Sequence, residues 1–149
     1  MDFDRLMNDF AREAGGTIEP DQDGVYALYV DDLPVSVGVI RETGVPVFWA
    51  EAGETPPDGK EAFYRMLLEA SYDEAEAAGV RLSLERGTGR VFLRREESAA
   101  PEDLAELTER LNAFADALVE WRRRIADFRA GTDGGEDRDE RESADFIRV

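Results

Sequence analysis

The chain has 149 residues, 35 Asp and Glu against 18 Lys and Arg, a net charge of −17, and neither His nor Cys. That length suits one domain, and the acidity argues against a phosphate backbone or an anionic membrane as partner, since both select a basic face. Without His and Cys there is no disulfide, no thiolate or imidazole metal ligand, no serine triad and no cysteine nucleophile.

Residues 3–14 carry Phe3, Leu6, Met7 and Phe10 at helical spacing, and Gly15-Gly16 ends the run. Three β-rich runs follow, 25–30, 35–40 and 45–50. Asp31-Asp32-Leu33-Pro34 and Glu42-Thr43-Gly44 separate them as hairpin turns, which predicts an antiparallel meander. Pro46 lacks an N–H donor, so the third strand is expected to be an edge or to start late. After a Pro56-Pro57 loop, Asp58 is the expected N-cap of a helix reaching about Ala78 and stopped by Gly79. This helix has two apolar faces: Phe63, Met66, Leu67 and Ala70 on one, Tyr64, Leu68 and Tyr72 on the other. One sheet covers one face, so the second calls for another surface.

Val80, Leu82 and Leu84 alternate with polar residues, and Val91 and Leu93 do the same beyond Arg86-Gly87-Thr88-Gly89, giving two more strands. Pro101 is expected to open a last helix. Its apolar residues, Leu104, Leu107, Leu111, Phe114, Leu118, Trp121, Ile125 and Phe128, step by 3 and 4 without a break. That seam serves either as a coiled-coil face or as the stripe by which the helix covers the domain's own sheet, the second being the expected role. The fold class is therefore α+β, α-βββ-α-ββ-α, with a twisted, mostly antiparallel sheet packed against helices. From Gly131 onward, seven acids and three arginines accompany almost no apolar residue. The domain is expected to span 1–130 and the acidic segment 131–149 to be a disordered tail. The start of the chain lacks a basic signal-peptide region and no apolar run approaches the ~18 residues of a membrane span, so a cytoplasmic protein is expected.

Little in this chain points to chemistry. Glu19, Asp21, Asp23 and Gly24 match the opening of a calcium loop, but Val30 stands where a bidentate Glu is needed; a polar turn is the better reading. Asp31-Asp32 reads as a turn rather than a catalytic pair, and Gly87 and Gly89 as a hairpin rather than a nucleotide loop. Lys60, the sole lysine, sits in an exposed first turn with nothing to activate it. Arg122, Arg123 and Arg124 are expected to complement a helix C-terminus. No enzyme activity, metal or cofactor is expected. What stands out is surface. The first two strands carry substantial residues on both faces, Val25, Ala27 and Tyr29 against Tyr26, Leu28 and Val30, more than a small domain readily covers.

In this order of elements, in MLLEAS (66–71) followed by AGVRLSLERGTGRVFLRRE (78–96), and in LAELTERLNAFADALVEW (104–121), the chain resembles the class I type III secretion chaperones, the Tir-chaperone-like family. Ser71 stands where many relatives have Asn. The resemblance implies a non-enzymatic homodimer that binds the disordered N-terminal segment of a secreted effector and keeps it secretion-competent. It implies a dimer interface on the central helix and late strands, here Tyr64, Leu68, Tyr72, Leu82 and Leu84. Effector contacts then fall on the first helix and meander, where the candidates are Leu6, Phe10, Tyr26, Leu28, Val37, Val39 and Phe48. The alternative is a regulatory or adaptor module of the same fold, and a third reading, a carboxylate-dependent hydrolase or metal enzyme, has little support. Neither nucleic acid nor membrane is an expected partner.

Overall fold

Apolar side chains at positions 3, 6, 7 and 10 give α1 (Phe3–Glu13) a single sticky side, which buries Leu6 and Met7. The computed structural model describes residues 3–75 and 78–133. After α1 come β1 (Tyr26–Val30), β2 (Leu33–Ile40), β3 (Val45–Glu54), α2 (Lys60–Ala70), β4 (Arg81–Leu84), β5 (Arg90–Glu96) and α3 (Leu104–Asp133). The strands form one antiparallel sheet in the order β1-β2-β3-β5-β4.

Several local expectations are corrected. The first hairpin closes on two residues only, Asp31 and Asp32, both with positive φ, so β2 already begins at Leu33. Asp21 holds the preceding turn by accepting the N–H groups of Asp23 and Val25, both at 2.9 Å. β3 is a central strand despite Pro46. The Pro46 carbonyl accepts the Glu97 N–H at 3.0 Å, so its donorless nitrogen faces the same side; the ladder to β2 is spared, and the pairing with β5 ends at Glu96, where Pro46 cannot return a bond. Gly59, with φ 72°, is the N-cap of α2 in place of Asp58. The α-helix stops at Ala70, and a π-helical turn, Ser71–Ala75, continues it while the Ser71 hydroxyl donates to the Leu67 carbonyl at 2.7 Å.

Pro101 precedes α3 rather than opening it. Asp103 is the cap: its carboxylate accepts the Glu106 N–H at 2.9 Å, and its carbonyl accepts that of Leu107. The Glu106 carboxylate reaches back to the Glu102 N–H and pairs with Arg110, and both hold its pKa below the usual glutamate range. The three arginines 122–124 are not at a helix end, because α3 runs on to Asp133. Arg122 donates to the Glu51 carbonyl, Arg123 pairs with Glu120 and Asp127, and Arg124 lies 4.4 Å over the Trp121 ring. Three residues of the expected tail are thus helical; positions 134–149 lie outside the described residues.

The α3 seam faces the sheet and is not a coiled-coil face. Leu107, Leu111, Phe114, Leu118, Trp121 and Ile125 are all buried, with Phe114 edge-on to Phe48 at 5.8 Å. Phe128 at its far end packs on Phe63 of α2 at 5.2 Å, and Phe3 of α1 packs on Tyr26 of β1 at 6.2 Å. The Tyr26 hydroxyl also donates to the Asp4 carboxylate. The helices therefore lie on one face of the sheet.

A bulge in β3 between Glu51 and Gly53 brings the strand against α3. Gly53 has φ 156°, and a Cβ there would stand 2.6 Å from Cγ2 of Ile125. Gly53→Ala is expected to cost about 1–3 kcal/mol, the usual cost of overpacking a tight core. A urea midpoint equal to that of the parent chain would show that α3 can move aside.

Candidate functional site

Among the described residues, uncovered apolar surface gathers in two places. The first is built by α2 and the edge strand β4. Phe63, Leu67 and Ala70 turn inward and are buried, which leaves the i, i+4, i+8 set of Tyr64, Leu68 and Tyr72 facing out. Leu68 is 72% exposed and Tyr72 82%. On β4, Leu82 is half-buried and Leu84 is 44% exposed. Tyr64, Leu67, Leu68, Ser71, Leu82, Ser83 and Leu84 line one groove of about 350 Å³. Four of the five residues singled out for dimerisation thus meet in one place, and Tyr72 extends the stripe a turn further. Beside the groove runs the outer edge of β4, whose backbone groups have no neighbouring strand among the described residues.

The second surface belongs to the sheet, and here the expected contacts are corrected. Leu6, Tyr26, Leu28, Val37 and Phe48 are buried within the core. They lie between the sheet and α1 or α3, so they hold the protomer together and present nothing to a partner. Phe10 is half-buried on α1, and Val39, 37% exposed, lies at the end of its strand.

The outward set is the other half of the alternation. Ala27 and Tyr29 on β1 are exposed, Tyr29 by 73%, and Val25, Ser36, Ile40, Trp49 and Phe92 are half-buried. The Trp49 ring spreads over Gly38, reaching to 3.2 Å from where a Cβ would stand, with Val25 beside it. Gly38 makes room for the ring and Trp49 covers backbone that would otherwise lie open. Trp49 and Phe92 were not among the candidates. The available signal was in the chain: a glycine inside the Val-rich run 35–40 and an aromatic two positions from the opposite residue in 45–50.

The arrangement offers binding rather than catalysis. Asp31 and Asp32 occupy their turn. The one buried carboxylate among the described residues, Glu97, pairs with Arg95 at 3.2 Å and Arg110 at 3.7 Å and ties β5 to α3. No three acidic side chains among the described residues gather to hold a metal ion, and no described helix is long and apolar enough to cross a membrane.

The model of the Tir chaperone protein (CesT) family matches residues 5–122. No curated protein matches the chain. Among solved structures, the chain is similar to the ExsC–ExsE complex, at 21% identity over 81% of this chain and 91% of that one, TM-score 0.68. It is similar to the HopA1–SchA chaperone–effector complex, at 15% identity over 81% and 93%, TM-score 0.65. It is also similar to the Yersinia pestis type III secretion chaperone SycH in complex with a stable fragment of YscM2, at 20% identity over 80% and 99%, TM-score 0.57. At these identities the likeness is one of fold.

Proposed function

The chain belongs to the Tir chaperone protein (CesT) family, whose members are chaperones and not enzymes, and from that premise we propose a cytoplasmic homodimer that binds an N-terminal segment of a secreted effector and keeps it secretion-competent. The observation that carries this reading is the pair of uncovered apolar surfaces on a protomer whose own core is already filled. The groove of Tyr64, Leu68, Leu82 and Leu84, with Tyr72, receives the second subunit. Ala27, Tyr29 and Trp49, on the outward face of the sheet, receive the effector segment. An extended chain can lie across such a face with apolar side chains as anchors and backbone pairing along a sheet edge. The net charge of −17 steers basic segments toward it.

Co-purification from the native host tests the proposal. The expected partner is held through an N-terminal segment that protects a few sites on the chaperone, and Tyr29→Asp abolishes its recovery while leaving the circular dichroism spectrum unchanged. A partner held through a folded domain, insensitive to Tyr29→Asp, would replace the secretion reading with the adaptor one.

A further inference from the structure

The β4–β5 hairpin is basic on an acidic molecule. Residues 81–96 hold five arginines against two glutamates, +3, in a chain of −17. Arg81 and Arg94 stand directly opposite each other across the two strands, on the outward face, with Ser83 opposite Phe92 as the next pair. Like charges in that position repel, and the Glu96 carboxylate reaches Arg94 only at 3.8 Å. Arg90, further along the face, already pairs with Glu85 and Glu51. Arg81 and Arg94 thus form an outward cationic pair flanking a half-buried Phe92.

The end of α3 lies beside this hairpin. Arg129 donates to the carbonyls of Glu54 and Thr55 at 3.0 and 3.3 Å, and Thr55 bonds Gly89 through both its N–H and its hydroxyl. One further turn brings the helix to Asp133. Residues 134–149 then hold six acids and three arginines, −3, with Phe146-Ile147 near the end. Sixteen residues reach at most about 53 Å, more than twice the length of the seven-residue β5 at about 3.3 Å per residue.

We propose that residues 134–149 dock in cis on the outward face of the β4–β5 hairpin, their carboxylates between Arg81 and Arg94 and their apolar end against Phe92. Charge complementarity, the exit point of α3 and the reach of the segment all favour this occupant. Leu82 and Leu84 point to the opposite face of β4, so the tail and a second subunit can be held together, whereas Trp49 stands directly opposite Arg94, so the docked tail borders the face proposed for the effector.

Because the chain has no cysteine, an introduced pair reports the contact unambiguously. In the full chain, Ser83→Cys with Ser143→Cys is expected to form an intrachain disulfide about tenfold faster than Val119→Cys with Ser143→Cys, an exposed position on α3, because docking raises the effective concentration of the pair. The advantage is expected to vanish in R81E/R94E, and at about 1 M salt, where the Debye length is about 3 Å. Exchanging Glu136, Asp137, Asp139 and Glu140 for their amides is expected to abolish it too, without touching the folded body. Equal rates for the two cysteine pairs would overturn the proposal. So would a disulfide formed between chains, which would assign the hairpin to the tail of a second copy, or an advantage that survives R81E/R94E in a folded protein.

Discussion

Val37→Asp is expected to unfold the protein rather than release a partner from it. Val37 is fully buried, opposite Tyr26 on one side and Phe48 on the other, in the layer between the sheet and the helices. No basic side chain belongs to the cluster around it. Protonating an aspartate there at pH 7 costs about 4 kcal/mol, and losing the valine's burial adds about 1.5–3 kcal/mol. Together these approach the whole stability of a domain, about 5–15 kcal/mol. Thermal denaturation followed by circular dichroism is expected to show no cooperative transition above room temperature. Val39→Asp, two residues along on the same face but exposed, is expected to melt close to the parent. A folded Val37→Asp protein that had merely lost its partner would return Val37 to the binding surface.

Leu68→Asp is expected to convert a dimer into a monomer of 16.7 kDa while leaving the fold in place. A two-fold interface uses the same patch from each subunit, so each residue counts twice. Leu68, Tyr72 and Leu84 from two subunits are worth roughly 9–18 kcal/mol when buried, against an association cost of about 4–15 kcal/mol. The margin is small enough for one substitution to matter. Two aspartates in place of two leucines remove apolar area and oppose like charges across the axis. Because Leu68 is largely exposed in the protomer, the circular dichroism spectrum should not change. Light scattering at micromolar concentration decides the matter: a monomeric parent chain, or a Leu68→Asp protein that remains dimeric, would remove the α2–β4 groove from the interface.

The two substitutions separate what could be read along the chain from what could not. On α2 the reading was sound, because a helix with apolar residues at 63, 67 and 70 has one direction that faces its own core, and Tyr64, Leu68 and Tyr72 then point away from it. The α3 seam was equally legible: eight apolar residues on one stripe of a long helix are long enough to cover a sheet, and Phe114 lies on Phe48 accordingly. In β1 and β2 the same logic stops short. Period-two alternation says that Tyr26, Leu28 and Val30 share a face, and that Ala27 and Tyr29 share the other, but both sets are apolar. The turn at Asp31-Asp32 sets the register between strands without ranking the faces. Ranking them takes contacts from far along the chain, Phe3 on Tyr26 and Phe114 on Phe48. Five of the seven effector candidates therefore fall in the buried set, and the outward Trp49 and Phe92 are not among the seven. Pro46, Asp103 and Gly53 belong to the same class. Which neighbouring strand a donorless residue fails depends on the side its nitrogen faces, which residue caps α3 depends on its path off β5, and why position 53 must be glycine depends on Ile125 lying against it. Local pattern determined the elements, their order and the outward face of α2, because those follow from backbone periodicity and nearby turns. The choice of the sheet's inner face, the bulge against α3 and the arginine face beside the end of that helix were decided only when distant segments packed, because each is a property of two segments in contact and of neither alone.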